Sequence, residues 1–120
     1  MTTSAALLGV RRRGPVTVID VRGDVNASAE RRLDDAWDQA VRGDPEAVVL
    51  NFEDAGYINS TGIALVVQLL TRARALGIAV RAYGLTPHYR EIFEITRLAD
   101  YVLIESDEDS AVSGADRRSS

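Results

Sequence analysis

Changes in the period of the apolar residues divide the chain into strands and helices. Short apolar runs rich in β-branched residues predict five strands, at 7–10, 16–21, 47–52, 78–83 and 101–104. Between them apolar residues recur every three or four positions, which is the pattern of amphipathic helices. These helical segments are 27–41, 60–76 and 86–97, and a short last helix is expected over 106–112. The order predicts an α/β fold in which helical crossovers connect parallel neighbours of a mixed sheet.

Residues with capping properties mark the ends of the predicted helices. Asn26 or Ser28 can accept a hydrogen bond from a free amide at the start of the first helix. Gly77 follows the second helix, where a left-handed cap is expected. Thr86 and Pro87 have the properties of the N-cap and the first residue of the third helix. These signals define the helix boundaries more closely than the apolar pattern does.

The second predicted helix carries more apolar surface than one core face needs. One stripe contains Ile63, Val66, Val67, Leu70 and Ala73, and another contains Leu65, Leu69 and Leu76. Two interpretations of the second stripe stay open. Either a neighbouring helix covers it, or Leu65 and Leu69 form a docking face for another protein.

Composition and charge exclude several kinds of function. The 120 residues, 46% of them hydrophobic, fit one domain, and 18 acidic against 14 basic side chains give a net charge of −4. A negative surface repels nucleic acid and anionic membranes, so neither is expected as a partner. Without cysteine and with the single histidine His88, expected to be solvated, the chain has no disulfide or zinc–thiolate chemistry, and we expect no metal and no cofactor. The longest apolar stretch, 63–70, is too short to cross a bilayer, which predicts a cytoplasmic protein.

The segment after the central strand is the candidate site. In α/β folds, sites form where strands lead into helix N-termini, and the loop 54–62 occupies that position. Ser60 and Thr61 lie in the first turn of the second helix, so their hydroxyls are expected beside free amides and the positive end of the helix dipole. Such a helix N-terminus favours binding of a phosphate group. The alternative is that Asn59 or Ser60 only caps the helix.

Other charged residues have simpler interpretations. Residues 11–13, all arginine, are expected to keep an edge strand soluble at a hairpin. Residues 107–109 are acidic, as is usual in the first turn of a helix. Glu53 and Asp54 form a carboxylate pair without an accompanying base or nucleophile, so we expect no enzyme activity. The pattern gives no reason for Asp20 inside an apolar strand beyond a bend or an edge position.

Several short segments together carry a family resemblance. They are residues 23–26 (GDVN), 51–52 (NF), 57–65 (YINSTGIAL) and 95–98 (ITRL). The second and third of these resemble the signature segment of STAS domains, the sulfate-transporter and anti-sigma-factor-antagonist family. The first is similar to that family's turn between the second strand and the first helix, and the last to the end of its third helix. The resemblance covers roughly residues 16–112.

The resemblance implies a fold and a division of the chain. The fold is α/β, a STAS-like (SpoIIAA-like) mixed β-sheet with helices packed mainly on one face. Residues 1–15 then form the N-terminal strand and turn, residues 16–112 the STAS-like domain, and residues 113–120 a disordered tail. The length is similar to that of free-standing bacterial anti-sigma factor antagonists.

The resemblance also implies a function without catalysis. In such proteins the serine that matches Ser60 is phosphorylated by a partner anti-sigma factor, an ATP-dependent serine kinase, and a metal-dependent serine phosphatase restores it. The unphosphorylated domain binds the kinase and so frees a sigma factor for transcription, a partner switch used in stress responses. Ser60 is then the expected phosphorylation site and Thr61 the alternative acceptor. The expected partner-binding residues are Asn26, Asn59, Ser60, Thr61, Gly62, Leu65 and Leu69.

Two asparagines depart from the family pattern. Asn59 stands where phosphorylated members usually have an aspartate before the serine, and Asn26 stands where the earlier turn usually ends in aspartate. As helix caps the two residue types are nearly equivalent. If the acid instead helps the kinase to recognise the hydroxyl, Ser60 is modified slowly, by another kinase, or not at all. Two alternatives stay open: a scaffold module of a stress-signalling or lipid-transport complex, and a nucleotide-binding module that uses the same helix N-terminus.

Overall fold

A computed structural model of the chain describes residues 6–118, which form one sheet and four helices. The strands are β1 (Leu7–Arg13), β2 (Val16–Val25), β3 (Ala47–Ile58), β4 (Ala79–Tyr83) and β5 (Leu103–Glu105). The helices are α1 (Glu30–Arg42), α2 (Ser60–Leu76), α3 (Pro87–Ile95) and α4 (Glu108–Arg118). Single turns of 3-10 helix lie before α1, at Ala27–Ala29, and after α3, at Leu98–Asp100. The predicted order of strands and helices is confirmed.

The five strands lie in the sheet in the same order as in the sequence. β1 runs antiparallel to β2, and the other neighbours are parallel. Parallel neighbours need crossovers, and α1, α2 and α3 lie in those connections. The register places Asp20 beside Asn51 and Asn51 beside Tyr83. Polar groups from three strands are thereby brought side by side.

Helices cover both faces of the sheet, but unequally. α1, α2 and α3 cover one face and bury the main core, which includes Ile19, Trp37, Leu50 and Phe93. α4 contacts β3, β4 and β5 on the opposite face. The smaller core under it consists of Val16, Val18, Ala47, Val49, Tyr83 and Ala111. The prediction that helices pack mainly on one face is confirmed, and α4 is the exception.

The last helix is longer than the sequence predicts. α4 continues to Arg118, which corrects the disordered tail expected for residues 113–118; residues 119 and 120 lie outside the described residues. Ala111 is fully buried on the sheet. Gly114 approaches Arg81 so closely that a Cβ there would lie 2.6 Å from Arg81 Nε. The segment is polar, but packing on a sheet face formed by distant parts of the chain stabilises it as a helix.

The polar segment after residue 52 continues β3 instead of forming a loop. Residues 53–58 pair with the end of β2, with two shifts of register along the way. Asp24 Oδ1 also accepts a hydrogen bond from Tyr57 N at 2.9 Å. The predicted loop 54–62 is therefore corrected to a strand end, one capping residue and a helix start. Pairing with β2 provides hydrogen-bond partners for the backbone N–H and C=O groups of this segment, while the side chains of Asp54 and Tyr57 stay exposed.

An ion-pair cluster connects β1 and β2 with α4. Arg11 Nε donates to Asp20 Oδ2 at 2.7 Å, and Arg11 Nη1 donates to Glu108 Oε2 at 2.8 Å. Arg13 Nη1, at 2.7 Å, and the Tyr83 hydroxyl, at 2.6 Å, also donate to Glu108. β1 is an edge strand, as predicted, but Arg11 and Arg13 pair with acids. The cluster also explains the acid inside β2, which the sequence pattern left without a reason.

The cluster lowers the pKa values of its carboxyl groups. Hydrogen bonds from Arg11, with smaller contributions from Tyr83 and Arg13, hold the pKa of Glu108 well below its ordinary value although burial opposes this. Arg11 likewise lowers the pKa of Asp20. A carboxylate with a depressed pKa stabilises the fold at a pH above its unfolded-state pKa. That contribution is lost as the pH falls through the folded-state pKa.

We predict that Glu108→Gln lowers the free energy of unfolding at pH 7 by about 1–3 kcal/mol, because the amide removes the negative charge that pairs with both Arg11 and Arg13. The parent protein should lose stability below about pH 4, and the variant should lose less. Urea unfolding of both proteins at pH 7 and pH 3 measures the effect.

The matched control for this change is Glu30→Gln. Glu30 lies exposed in the first turn of α1 and has no ion-pair partner among residues 6–118. Its substitution should change stability by less than about 0.5 kcal/mol. Equal losses for the two variants at pH 7, or an unchanged gap between Glu108→Gln and the parent at pH 3, would contradict the role of the cluster.

Candidate functional site

Ser60 is the first residue of α2, and its side chain is exposed, as is that of Thr61. Asn59 caps the helix: its Oδ1 accepts a hydrogen bond from Gly62 N at 2.8 Å. The carbonyl oxygen of Asn59 accepts from Ile63 N at 2.9 Å. Within the described part of the chain, Ser60 Oγ has no hydrogen-bond partner. Of the two residues considered as the cap, Asn59 therefore fills that role. The Ser60 hydroxyl is exposed and is not used in capping.

A close backbone contact fixes the place where α2 begins. A Cβ on Gly62 would lie 2.2 Å from the carbonyl oxygen of Val25, far inside van der Waals contact. Asn59 N donates a hydrogen bond to the same oxygen at 3.2 Å. The first turn of α2 therefore lies against the end of β2, and only glycine fits at position 62.

The turn that carries Asn26 lies next to this helix start. Asn26 follows Val25 directly, and the 3-10 turn that it caps contacts α2. Its Oδ1 accepts hydrogen bonds from Ser28 N at 3.0 Å and from Ser28 Oγ at 2.6 Å. The side chains of Asn26 and Asn59 thus both act as acceptors in caps, a role that aspartate fills equally well. They differ from aspartate in bringing no negative charge to the neighbourhood of Ser60.

A tyrosine of α3 holds the strand that leads to Ser60. The Tyr89 hydroxyl accepts a hydrogen bond from Ile58 N at 2.9 Å, and this contact is buried. The apolar pattern of residues 86–97 does not indicate this role for Tyr89. The available signal was the hydroxyl itself, because a buried tyrosine oxygen needs a hydrogen-bond partner. The contact couples the position of Ser60 to α3.

The second apolar stripe of α2 is buried. Leu65 and Leu69 are only 7% and 4% exposed and lie near Leu33 of α1. The prediction that Leu65 and Leu69 form a docking face is therefore wrong, and the alternative, burial under a neighbouring helix, holds. At the surface, α2 also contacts α1 through an ion pair of Arg72 with Asp34, and the distance from Nη2 to Oδ1 is 2.8 Å.

The exposed side of α2 is a different set of residues. We define the α2 face as Ser60, Ala64, Val67, Gln68 and Thr71, all of which are exposed. Helical spacing places them on one side of the helix. None of them is charged, and the first charged residue of α2 is Arg72. The α2 face therefore begins at the Ser60 hydroxyl and continues along the helix as an uncharged surface.

Five of the predicted partner-binding residues lie together at this place. They are Asn26, Asn59, Ser60, Thr61 and Gly62, whereas Leu65 and Leu69 point into the core. His88 is exposed, with its ring centroid 5.1 Å from that of Tyr89. Within the described residues no group of histidine, cysteine, aspartate or glutamate is arranged to hold a metal ion. None of the helices in that part of the chain is long and apolar enough to span a membrane.

Comparison with known families gives a match over most of the chain. The family model described as "STAS domain" matches residues 8–111. No curated protein matches the sequence significantly.

Solved structures similar to this fold include several anti-sigma factor antagonists. One is an anti-sigma factor antagonist from Mycobacterium paratuberculosis, 17% identical, with a TM-score of 0.77 over 92% of this chain and 93% of that chain. SpoIIAA in its unphosphorylated form is 18% identical, with a TM-score of 0.69 over 94% of this chain and 98% of that chain. The Bacillus cell fate determinant SpoIIAA in its phosphorylated form is 18% identical, with a TM-score of 0.70 over 91% and 99%. At these identities the likeness establishes the fold.

We predict that Tyr89→Phe lowers the free energy of unfolding by about 1–3 kcal/mol, because it leaves the buried Ile58 N–H without a partner. Amide exchange at Ile58 and at the first turn of α2 should become faster. Chemical unfolding and hydrogen exchange measure the two effects.

Tyr101→Phe is the control, since that tyrosine is exposed and its hydroxyl makes no hydrogen bond among the described residues. It should change stability by less than about 0.5 kcal/mol. If Tyr89→Phe is as stable as this control, the hydroxyl does not hold the end of β3.

Proposed function

Because the chain belongs to the STAS domain family, we propose that it is an anti-sigma factor antagonist controlled by phosphorylation of Ser60. In this proposal the unmodified protein binds an anti-sigma factor kinase through the first turn and the α2 face, and thereby frees a sigma factor for transcription. The kinase phosphorylates Ser60 and releases the protein, and a metal-dependent serine phosphatase restores the hydroxyl. The protein is the substrate of this cycle and not an enzyme.

The observation that carries the proposal is the state of the Ser60 hydroxyl. It is exposed, it has no hydrogen-bond partner within the described residues, and Asn59 performs the capping that a serine at a helix start often performs. A kinase can therefore reach the hydroxyl without breaking an interaction that stabilises the fold.

A phosphate on Ser60 leaves the domain folded. A dianion at a helix N-terminus gains about 0.3–2 kcal/mol from the free amides and the helix dipole. Asn26 and Asn59 place no carboxylate next to it. This chain is about equally similar in fold to SpoIIAA in its phosphorylated and in its unphosphorylated form. That similarity supports a fold that stays unchanged when Ser60 is phosphorylated. The fold itself is not the switch.

The same phosphate interferes with a partner that covers the α2 face. That face is uncharged, so a partner that packs on it has to remove water from the phosphate at the edge of the contact. A penalty of about 3 kcal/mol weakens binding by more than about a hundredfold. Partner release is therefore the expected consequence of phosphorylation.

A scaffold role without phosphorylation is the second candidate function. Asn59 favours it, because the resemblance to phosphorylated STAS proteins would place an aspartate at this position. In a scaffold the same α2 face binds a partner, and Ser60 is not modified. The two candidates differ in whether a kinase labels the protein.

We predict that an anti-sigma factor kinase encoded in the same genome phosphorylates the protein once, on Ser60, with ATP. Ser60→Ala should abolish labelling and keep kinase binding, whereas Thr61→Ala should still be labelled. Mass spectrometry of the peptide that contains residues 57–65 identifies the acceptor, and calorimetry measures the binding. Labelling that persists in Ser60→Ala and disappears in Thr61→Ala would move the switch to Thr61. Binding without labelling by any such kinase would support the scaffold.

We further predict that Ser60→Asp weakens kinase binding by at least about tenfold while the melting temperature changes by less than about 3 °C. Ser60→Asn is the matched control, because it has nearly the same size as aspartate without its charge. It should bind more tightly than Ser60→Asp. Equal affinity of Ser60→Asp and the parent would contradict the switch.

A further inference from the structure

A cavity of about 450 Å³ lies between α2 and the segment that connects α3 with β5. Its apolar floor and wall are formed by Val67, Leu70, Leu98 and Tyr101. The volume is in the range of small-molecule sites, which are mostly apolar with a few polar groups that orient the ligand. Tyr101 remains 55% exposed and Val67 39% exposed, so apolar surface at the mouth of the cavity is left uncovered.

Two arginines, Arg74 and Arg97, line this cavity. The Arg74 guanidinium carbon lies 5.2 Å from the centroid of the Tyr101 ring, and no carboxylate lies within ion-pair distance of Arg74 in the described part of the chain. Arg97 Nε donates to Asp100 Oδ2 at 2.9 Å, which engages one side of its guanidinium group. The Tyr101 ring and the Asp100 carboxylate each contact one of the two guanidinium groups, and guanidinium groups bind carboxylates and phosphates well.

The backbone conformation of Arg97 is unusual, and the threonine side chains of the cavity are already hydrogen-bonded. Arg97 has a φ of 67°, a left-handed conformation that glycine adopts more easily. The threonines that line the same cavity use their hydroxyl protons internally, Thr71 on the Val67 carbonyl and Thr96 on the Ile92 carbonyl. The arginines are therefore the charged donors that remain at this cavity for a ligand. The chain as a whole carries −4, whereas both charged residues that line this cavity are arginines, of which Arg97 pairs with Asp100.

We propose that this cavity binds a small organic anion, an apolar chain or ring that ends in a carboxylate or a phosphate. The apolar body lies on Leu70, Leu98 and the Tyr101 ring, and the anionic group lies between Arg74 and Arg97. The site is separate from Ser60, but Val67 belongs both to the cavity wall and to the α2 face. A bound anion therefore lies beside the surface through which the partner is proposed to dock.

The test is a titration of isotope-labelled protein with octanoate, observed through its amide resonances. Octyl phosphate is titrated in parallel to decide between the two anionic groups. We expect saturable shifts near Val67, Thr71, Thr96 and Tyr101, with a dissociation constant below about 1 mM for at least one of the two. Octan-1-ol, which lacks the charge, and acetate, which lacks the apolar body, should each bind at least about tenfold more weakly.

Substitutions then locate the bound anion. Arg74→Gln and Arg97→Gln should each weaken binding by about tenfold, and Val67→Trp, which fills the mouth of the cavity, should abolish it. Arg90→Gln is the control, because Arg90 is an exposed arginine of α3 that does not line the cavity. Unsaturated shifts at about 10 mM, equal binding of octanol, or affinity that is unchanged in both arginine variants would overturn the proposal. None of these results depends on phosphorylation of Ser60.

Discussion

The approach of Gly62 to the Val25 carbonyl oxygen is the contact on which the site depends. Without a side chain at residue 62, the first turn of α2 lies directly against the end of β2, and Asn59 donates to the same oxygen. This contact sets both the position of the helix and its rotation about its axis. Asn59 consequently caps the helix, and Ser60 points to solvent.

The same rotation separates stability from recognition along α2. The side that carries Leu65 and Leu69 is buried, while the α2 face is exposed and uncharged. Because buried apolar area supplies most of the stability, changes on the exposed side have little effect on the fold. A charge added at Ser60 can therefore alter binding to another protein and leave the domain intact. This separation is the physical basis of the proposed switch.

Strands, helices and helix starts depend on local sequence pattern and could be predicted from it. Periodicity placed the strands and helices, and capping residues placed the start of α2, so Ser60 was found at its exposed position. Pairing between distant segments escaped prediction. The polar end of β3 is a strand because β2 pairs with it, and α4 continues past 112 because Ala111 and Gly114 pack on the sheet, Gly114 beside Arg81. Periodicity also showed two apolar stripes on α2, but it could not show which one α1 covers.

In the proposed switch, phosphorylation of Ser60 changes binding and not the fold. The most direct test of this switch uses protein with phosphoserine incorporated at position 60, compared with unmodified protein in one pair of measurements. We expect amide resonances to shift only around the start of α2, while the dissociation constant for the anti-sigma factor kinase rises by more than about a hundredfold. Shifts that spread across the sheet, or an unchanged dissociation constant, would contradict the proposed switch.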